Sequence, residues 1–209
     1  MEENLGKREL NRLRKRATIV SAARESFLQQ GYAATSMSAI ADELRCSKAT
    51  MWSHFASKEE LFIAVVDELV AEFSRDIDEV LTSQTFSATT LRRAALRFLN
   101  CLMREPSIML FRLVLSEGER FPEIADAFYQ RGPARVRKGI RTFFATRFTE
   151  ADSETLTRVF ISALTGYRSD MLLRPVRPSE VDREIFVDEL VAMIDWPDPR
   201  PDASVTPTT

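Results

Sequence analysis

The chain has 209 residues, a formal net charge of −2 and 44% hydrophobic residues, which is enough for a sizeable core in one compact unit or in a small and a larger domain. It has no apolar run of the roughly eighteen residues that a membrane span requires, and no apolar segment of the signal-peptide kind follows the charged N-terminus. Two cysteines, Cys46 and Cys101, do not make a disulfide framework. We therefore expect a cytoplasmic protein that does not enter a membrane.

The charge is unevenly distributed along the chain. Residues 7–58 carry ten Lys or Arg and four Asp or Glu, a balance of +6, and the remaining residues carry −8. A basic end on an acidic body suits a protein that binds phosphate through one face. Solvated helix faces also vary in charge, so the asymmetry gains weight only in combination with a motif.

Three helical patterns occupy the first part of the chain. An apolar stripe runs from Leu13 to Phe27 and stops at Gly31, a residue type that commonly follows a helix end. Two shorter patterns cover residues 36–44 and 48–55, with a break at Arg45-Cys46 between them. Two helices joined by a turn of about three or four residues, the second presenting basic, hydroxyl and aromatic groups, fit the major groove of DNA.

The rest of the chain also has helical periodicity, and no alternating strand pattern persists. A helix of about two dozen residues begins after Ser57, with Glu59-Glu60 in its first turn, where the helix dipole favours acidic residues. A loop over Ser83–Thr90 precedes further helices at Leu91–Leu102, from Pro106 to Gly118, from Pro122 to Phe148 with a break at Gly132-Pro133, at Leu156–Leu172 and at Ser179–Ile194. We predict an all-α fold of about nine helices.

Ordered motifs in the N-terminal part resemble the TetR/AcrR family of transcriptional regulators. In that family Gly-Tyr lies near the end of the first helix, a Thr-Thr or Thr-Ser pair starts the second, and Ile-Ala follows. These motifs are matched here by Gly31-Tyr32, Thr35-Ser36 and Ile40-Ala41. The family's recognition segment, Ser-Lys-Gly-Thr-Leu-Tyr-x-His-Phe, corresponds to Ser47–Phe55, and Ser-Lys-Glu-Glu-Leu is identical at Ser57–Leu61.

The strong resemblance covers roughly residues 12–66, where the positions of the helices are also those of a helix-turn-helix domain. A weaker resemblance, to the ligand-binding half of one branch of the family, covers Leu91–Phe144. It implies a helix-turn-helix DNA-binding domain at 1–60 and a helical effector-binding and dimerisation domain at 61–196. The tail at 197–209 is rich in Pro, Asp, Ser and Thr, and we predict that it is disordered.

The resemblance implies a ligand-responsive transcriptional repressor. Such a protein binds a palindromic DNA operator as a homodimer and is released by a small lipophilic or aromatic effector. The alternative is a helical DNA-binding or architectural protein without small-molecule control. The sequence lacks glycine-rich phosphate loops, zinc-protease motifs and cysteine pairs at metal spacing. We therefore predict no enzyme activity, no metal and no cofactor.

The resemblance also assigns the contacts with DNA. Phosphate contacts fall to Thr35, Ser36, Trp52, His54 and Lys58, and base contacts to Lys48, Ala49 and Thr50, with Ser47 beside them. The chain departs from the family at two positions. Arg45 replaces a turn glycine, where a left-handed conformation would cost about 1–2 kcal/mol, and we hypothesise that Arg45 contacts phosphate. Trp52 replaces a tyrosine and keeps one hydrogen-bond donor.

Other residues of this segment have competing interpretations. Burial habits favour a core position for Ile40, Leu44, Met51 and Phe55, and an exposed one for Trp52. Cys46 precedes a helix and could be redox-sensitive, but we expect it to pack as a small apolar residue. The basic run Arg14, Lys15 and Arg16 either extends the DNA contact or is simply solvated.

The body supplies candidate sites by analogy with the family. Aromatic clusters of this kind are more often core than pocket, yet pockets between bundle helices are also apolar with few polar anchors. Arg112, Glu117, Tyr129 and Arg135 are the candidate anchors. The ligand-binding set is Met103, Met109, Arg112, Phe128, Tyr129, Phe144 and Phe160. The dimer set, on the last two helices, is Phe160, Ala163, Leu164, Tyr167, Met171, Phe186, Leu190 and Met193, with intramolecular core as the alternative.

Overall fold

The computed structural model describes residues 6–81, 86–194 and 196, with only the backbone for 72–81. All regular elements in these ranges are α-helices. The predicted all-α fold is therefore confirmed. Within the described ranges no helix is both long enough and apolar enough to span a membrane. The predicted disordered tail at 197–209 lies outside the described residues.

The described residues form ten helices, and the chain divides into two compact units. Of the described residues, 6–71 and 105–132 belong to the first unit, and 72–81, 86–104, 133–194 and 196 belong to the second. The helices are α1 (Lys7–Gln30), α2 (Met37–Glu43), α3 (Lys48–His54), α4 (Lys58–Leu81), α5 (Ala88–Leu102), α6 (Glu105–Glu117), α7 (Pro122–Arg131), α8 (Pro133–Ala145), α9 (Glu150–Leu173) and α10 (Glu180–Met193).

The tenth helix arises at the expected break in the long amphipathic stretch. α7 ends at Arg131, and the backbone N–H of Gly132 donates to the carbonyl oxygen of Phe128 at 3.0 Å. Pro133 then begins α8, because its fixed φ suits the first turn and its missing N–H has no partner to lose there. The stretch from Pro122 to Phe148 is thus two helices.

The first unit encloses an aromatic core. Phe27 is fully buried, and its ring lies 5.3 Å from that of Phe62 in an edge-to-face arrangement. Leu110 and Leu113 of α6 and Ile124 of α7 are buried in the same cluster. The unit therefore includes two helices from beyond residue 100, and it does not coincide with the division expected at residue 60. That functional division stays a prediction.

The N-terminal half of α1 lies outside this core. Leu13 is 43% exposed and Ala17 is also exposed, whereas Val20, Ala23 and Phe27 are buried. The apolar stripe predicted from Leu13 therefore contributes to the core only from its second half onward.

The second unit has its own core, formed by α5, α8, α9 and α10. Phe143, Phe144, Phe148 and Phe160 are buried in it, and α9 packs against α5 and α8. Arg92 of α5 forms an ion pair with Asp188 of α10. Their hydrogen bond raises the pKa of Arg92 and lowers the pKa of Asp188. Surface pairs of this kind add little stability, so burial of the aromatic rings holds the unit together.

Candidate nucleic-acid interface

The two short helices of the first unit are capped by serine side chains. Ser36 Oγ accepts a hydrogen bond from the Ala39 N–H at 3.1 Å, and Ser47 Oγ accepts one from the Thr50 N–H at 3.0 Å. Each bond satisfies a backbone donor that has no partner inside its helix. Serine is among the residue types that favour the N-cap position of a helix, as both bonds show.

The turn between α2 and α3 passes through a left-handed residue. Arg45 has φ 49°, and among the described residues it is the only non-glycine residue with positive φ. Its N–H donates to the Asp42 carbonyl oxygen at 3.0 Å, and the N–H of Cys46 donates to that of Ala41 at 2.9 Å. A left-handed residue with a Cβ costs about 1–2 kcal/mol, so this turn carries the strain that the missing glycine implied.

Helix α3 separates a buried face from an exposed one. Met51, together with Phe55 just after the helix, is fully buried, whereas Lys48 and Ala49 are exposed and Trp52 is 50% exposed. The first set fixes the helix on the core, and the second set leaves a cation, a methyl group and an indole N–H open to a partner. Both the predicted core residues and the exposure of Trp52 are confirmed.

The hydroxyl groups at the start of α3 have partners within the helix. Ser47 Oγ lies 2.8 Å from Thr50 Oγ1, and Thr50 is half-buried. Ser36, at the start of α2, is exposed. Cys46 is half-buried and packs against the core of the unit together with Leu44, as expected for a small apolar residue.

The imidazole of His54 lies among basic side chains of α1. Its Nδ1 is buried and has no hydrogen-bond partner in the described part of the chain. Burial lowers the pKa of His54, and the positive charges of Arg12, Arg16 and Lys15 lower it further. The Arg16 guanidinium also lies 4.7 Å from the centre of the Phe55 ring. A basic surface of α1 thus adjoins the end of α3.

This surface, comprising Arg12, Lys15, Arg16 and His54, was only partly predicted. The run at 14–16 was noted in the sequence, but Arg12 was not. Arg12 pairs with Glu9 at 2.9 Å, and Arg14 is exposed, with its carbonyl oxygen accepting from Thr18. The spacing of residues 12, 15 and 16 places them on one helix face and could have identified the set.

Two predicted phosphate contacts have side chains engaged inside the first unit. Thr35 is 2% exposed, and its hydroxyl donates to the Gly31 carbonyl oxygen at 2.8 Å and lies 3.1 Å from Ser26 Oγ. Lys58 Nζ donates to the carbonyl oxygens of Tyr32 at 2.8 Å and Thr35 at 3.1 Å, and burial lowers its pKa. Side-chain contacts from Thr35 and Lys58 to phosphate do not fit this arrangement.

The predicted dimer residues mostly face the core of their own unit. Phe160 and Leu164 are fully buried and Met171 nearly so, Leu190 packs on the same cluster, and Ala163 is half-buried. Tyr167 and Phe186 stack on each other with ring centres 4.2 Å apart. Only Met193 is widely exposed, at 83%. The intramolecular alternative therefore describes most of this set.

A different apolar surface on α9 and α10 is exposed. We call it the α9–α10 face, and it consists of Val159, Leu173, Val181, Ile185 and Met193 on the two helices and Val176 in the segment between them. Beside it lies a groove of about 570 Å³ whose lining includes Gly166, Ile185 and Glu189. A Cβ placed on Gly166 would meet no atom within 4 Å, so this part of α9 is open. Of this face, the dimer set predicted from the sequence contained only Met193, because α9 is apolar on more than one side.

The predicted ligand residues are divided between the two units. Met109, Arg112, Phe128 and Tyr129 belong to the first unit, and Met103, Phe144 and Phe160 to the second. Arg112 and Tyr129 are exposed, and Phe128 packs against the core of the first unit.

Phe144 and Phe160 are fully buried, with their rings 6.1 Å apart, and so form core. Among the proposed polar anchors, Arg135 is exposed. Glu117 has its carboxylate occupied by backbone N–H groups of Tyr32 and Ala33, which does not fit a ligand anchor.

The capped pair α2 and α3, with one buried and one exposed face on the second helix, defines a helix-turn-helix DNA-binding domain. The family model described as bacterial regulatory proteins, tetR family, matches residues 19–65, and that of the AefR-like transcriptional repressor C-terminal domain matches 89–165. The chain belongs to the TetR/AcrR family of transcriptional regulators.

Relatives support this assignment. The chain is 35% identical over 96 residues to the HTH-type transcriptional activator FasR of Mycolicibacterium smegmatis, and the match covers 44% of this chain and 44% of FasR. The matched stretches span 33% of the YhgD regulator of Bacillus subtilis and 54% of the UidR regulator of Escherichia coli. The chain thus spans about half or less of the curated relatives that it matches. All of them are described as regulators rather than enzymes, as predicted for this chain.

Solved structures match over most of the chain. A TetR-family regulator from Mesorhizobium loti has 28% identity and a TM-score of 0.75, covering 87% of this chain and 95% of its own. The flavonoid-responsive regulator FrrA has 27% identity and a TM-score of 0.71, covering 84% of this chain and 92% of its own.

Proposed function

We propose that the protein is a transcriptional repressor that binds a palindromic DNA operator as a homodimer in the cytoplasm and is released by a small lipophilic or aromatic effector. The observation that carries the proposal is the division of α3, with Met51 buried and Lys48, Ala49 and Trp52 exposed. An α-helix anchored on its core and open on the opposite face can enter the major groove.

The exposed groups suggest how the contacts are divided. Lys48 can donate to guanine O6 and N7, Ala49 can contact a thymine methyl group, and the Trp52 N–H can donate to phosphate. Arg12, Lys15 and Arg16 add positive charge beside the end of α3, whereas the lowered pKa of His54 leaves its imidazole neutral at pH 7. These cations attract phosphates on either side of the groove and make binding dependent on salt.

Dimerisation is assigned to the α9–α10 face. Val181, Ile185 and Met193 follow one another along α10 at spacings of four and then eight residues, and they are 64%, 51% and 83% exposed. An exposed apolar surface of this kind favours association, and a symmetric pair buries the same surface twice. The two recognition helices of a dimer can then read two half-sites about one DNA turn apart.

Effector control is supported by the family of the C-terminal part and by one relative. The AefR-like repressor model covers 89–165, and FrrA is described as flavonoid-responsive. An aromatic effector would release DNA only if it binds more tightly to the conformation that does not bind DNA. The alternative is a helical DNA-binding protein without effector control, and the activator FasR is a relative with the opposite effect on transcription.

Two experiments test the proposal. Selection of bound fragments from the source genome should return a palindrome upstream of a gene, and uniform retention of all fragments would support the architectural alternative. Thermal unfolding with a panel of flavonoids and other aromatic compounds should then identify an effector, because a bound ligand raises the melting temperature. A stabilising compound that leaves operator binding unchanged would contradict release by that compound.

A further inference from the structure

The last residue of α6 holds the loop between α1 and α2. The Glu117 carboxylate accepts a hydrogen bond from the Tyr32 N–H at 2.8 Å through Oε1 and from the Ala33 N–H at 2.7 Å through Oε2. Hydrogen bonds to an ionised carboxylate are stronger than neutral ones, and two parallel bonds fix direction as well as distance. We call this arrangement the Glu117 clamp.

The clamp is one of several contacts that converge on the loop. The Tyr32 ring packs edge-on against Phe121, which precedes α7, with ring centres 5.0 Å apart. Burial, together with the nearby carboxylates of Glu123 and Glu59, raises the pKa of Tyr32 to about 12. From the other side, Lys58 donates to the carbonyl oxygens of Tyr32 and Thr35. The loop is therefore fixed to α4, α6 and α7 of the same unit.

Gly31 is the residue that lets the carboxylate approach. Its φ is 92°, which disfavours any side chain, and a Cβ there would lie 2.5 Å from Glu117 Oε1. Any side chain at this position would displace the carboxylate or the loop. The glycine that ends α1 thus also makes room for the clamp.

The clamped loop leads directly into the helix-turn-helix. Ser36, the cap of α2, follows Ala33 by three residues, so the direction in which α2 and α3 leave α1 depends on the position of residues 32 and 33. We propose that Glu117 is a positioning residue for DNA binding, which holds α2 and α3 in the orientation that fits the operator. This inference rests on the proposed function.

The test compares Glu117→Gln with Glu119→Gln. The first variant opposes an amide NH2 to one backbone N–H, and the second removes the same charge from an exposed residue two positions along. We expect E117Q to bind the selected operator roughly tenfold more weakly and E119Q to bind like the parent. The salt slope of E117Q should stay unchanged because the number of phosphate contacts does not change.

A contact that only stabilises the fold would give a different result. It would lower the melting temperature of E117Q and leave the operator affinity of the folded protein unchanged. The backbone amide resonances of α2 and α3 report the difference, since reorientation shifts them in E117Q and not in E119Q. If E117Q does not fold, the same comparison is made with Glu117→Asp, whose carboxylate is one methylene too short to reach both N–H groups.

The outcomes separate the two proposals. Parent protein that binds no DNA sequence specifically would contradict the proposed function. Specific binding by the parent with equal affinities for E117Q and E119Q, or for E117D and E119Q, would contradict the positioning role alone.

Discussion

The Lys58 ammonium lies 4.3 Å from the centre of the Tyr32 ring and donates to the Tyr32 carbonyl oxygen at 2.8 Å. Both contacts favour the charged amine, although burial lowers its pKa. The lysine in the Ser-Lys-Glu-Glu-Leu motif thus joins the start of α4 to the loop before α2. This placement gives the lysine of the motif a structural role where the family resemblance implied a phosphate contact.

Replacing Lys58 by methionine should therefore destabilise the fold. Lys58→Met keeps most of the alkyl chain and removes the donor to two carbonyl oxygens, so we expect a loss of about 1–3 kcal/mol in the free energy of unfolding, measured in urea. The control Lys48→Met, at an exposed position, should stay within about 0.5 kcal/mol of the parent. If K58M is as stable as the parent and its DNA binding has a lower salt slope, the result would favour a phosphate contact by Lys58 over the structural role.

Replacing Arg45 by glycine separates strain from DNA contact. Because Arg45 has φ 49°, Arg45→Gly should relieve left-handed strain and raise stability by up to about 1 kcal/mol, after the entropic cost of glycine. Loss of the cation should at the same time weaken DNA binding and reduce the salt slope by about one phosphate contact. Arg45→Gly with parental affinity and slope would show that Arg45 does not contact phosphate.

The folded protein should lose stability in mild acid through His54. Its pKa is lowered below 6.5 in the folded state, so the unfolded state binds more protons in that range. The contribution of His54 is therefore fully present above about pH 6.5 and is lost as the pH falls through the folded pKa. The free energy of unfolding in urea is measured for the parent and for His54→Gln between pH 5 and pH 8, in steps of about half a pH unit. It should depend less strongly on pH in the variant. The same pH dependence of the free energy of unfolding in parent and variant would contradict a contribution from His54.

A charged substitution in the α9–α10 face should change the oligomeric state, whereas truncation of the buried Phe160 of the predicted dimer set should change stability. Ile185→Lys places a charge on a residue that is 51% exposed, so we expect a folded monomer by light scattering and weaker operator binding. The control Thr142→Lys, on exposed α8 surface, should stay dimeric. Phe160→Ala, at a fully buried position, should instead lower stability by about 3–5 kcal/mol. An unchanged dimer in Ile185→Lys would place the interface elsewhere.

Local features of the site could be predicted from the sequence, and tertiary ones could not. The caps at Ser36 and Ser47 and the opposite faces of Met51 and Trp52 follow from short-range spacing, which the sequence displays directly. The clamp joins Tyr32 to a residue 85 positions away, and no local pattern encodes it. For the same reason, the engagement of Lys58 inside the unit was not foreseen.

The exposed side of α9 is a second feature that could not be predicted from the sequence. α9 has apolar residues on more than one side, so periodicity does not distinguish the side that packs on α5 and α8 from the exposed apolar positions. The predicted dimer set followed the buried side, with Phe160 and Leu164. Only the packing of the second unit shows that Val159 lies on the other one.

The central claim, that the exposed face of α3 reads DNA sequence, is tested most directly by Lys48→Ala. Affinities of parent and variant are measured by fluorescence anisotropy for the selected operator and for operators changed one base pair at a time. We predict that the variant loses about 1–3 kcal/mol of discrimination at one symmetric base pair in each half-site and keeps it elsewhere. An equal loss of affinity for every sequence would contradict base readout by α3 and reduce Lys48 to a phosphate contact.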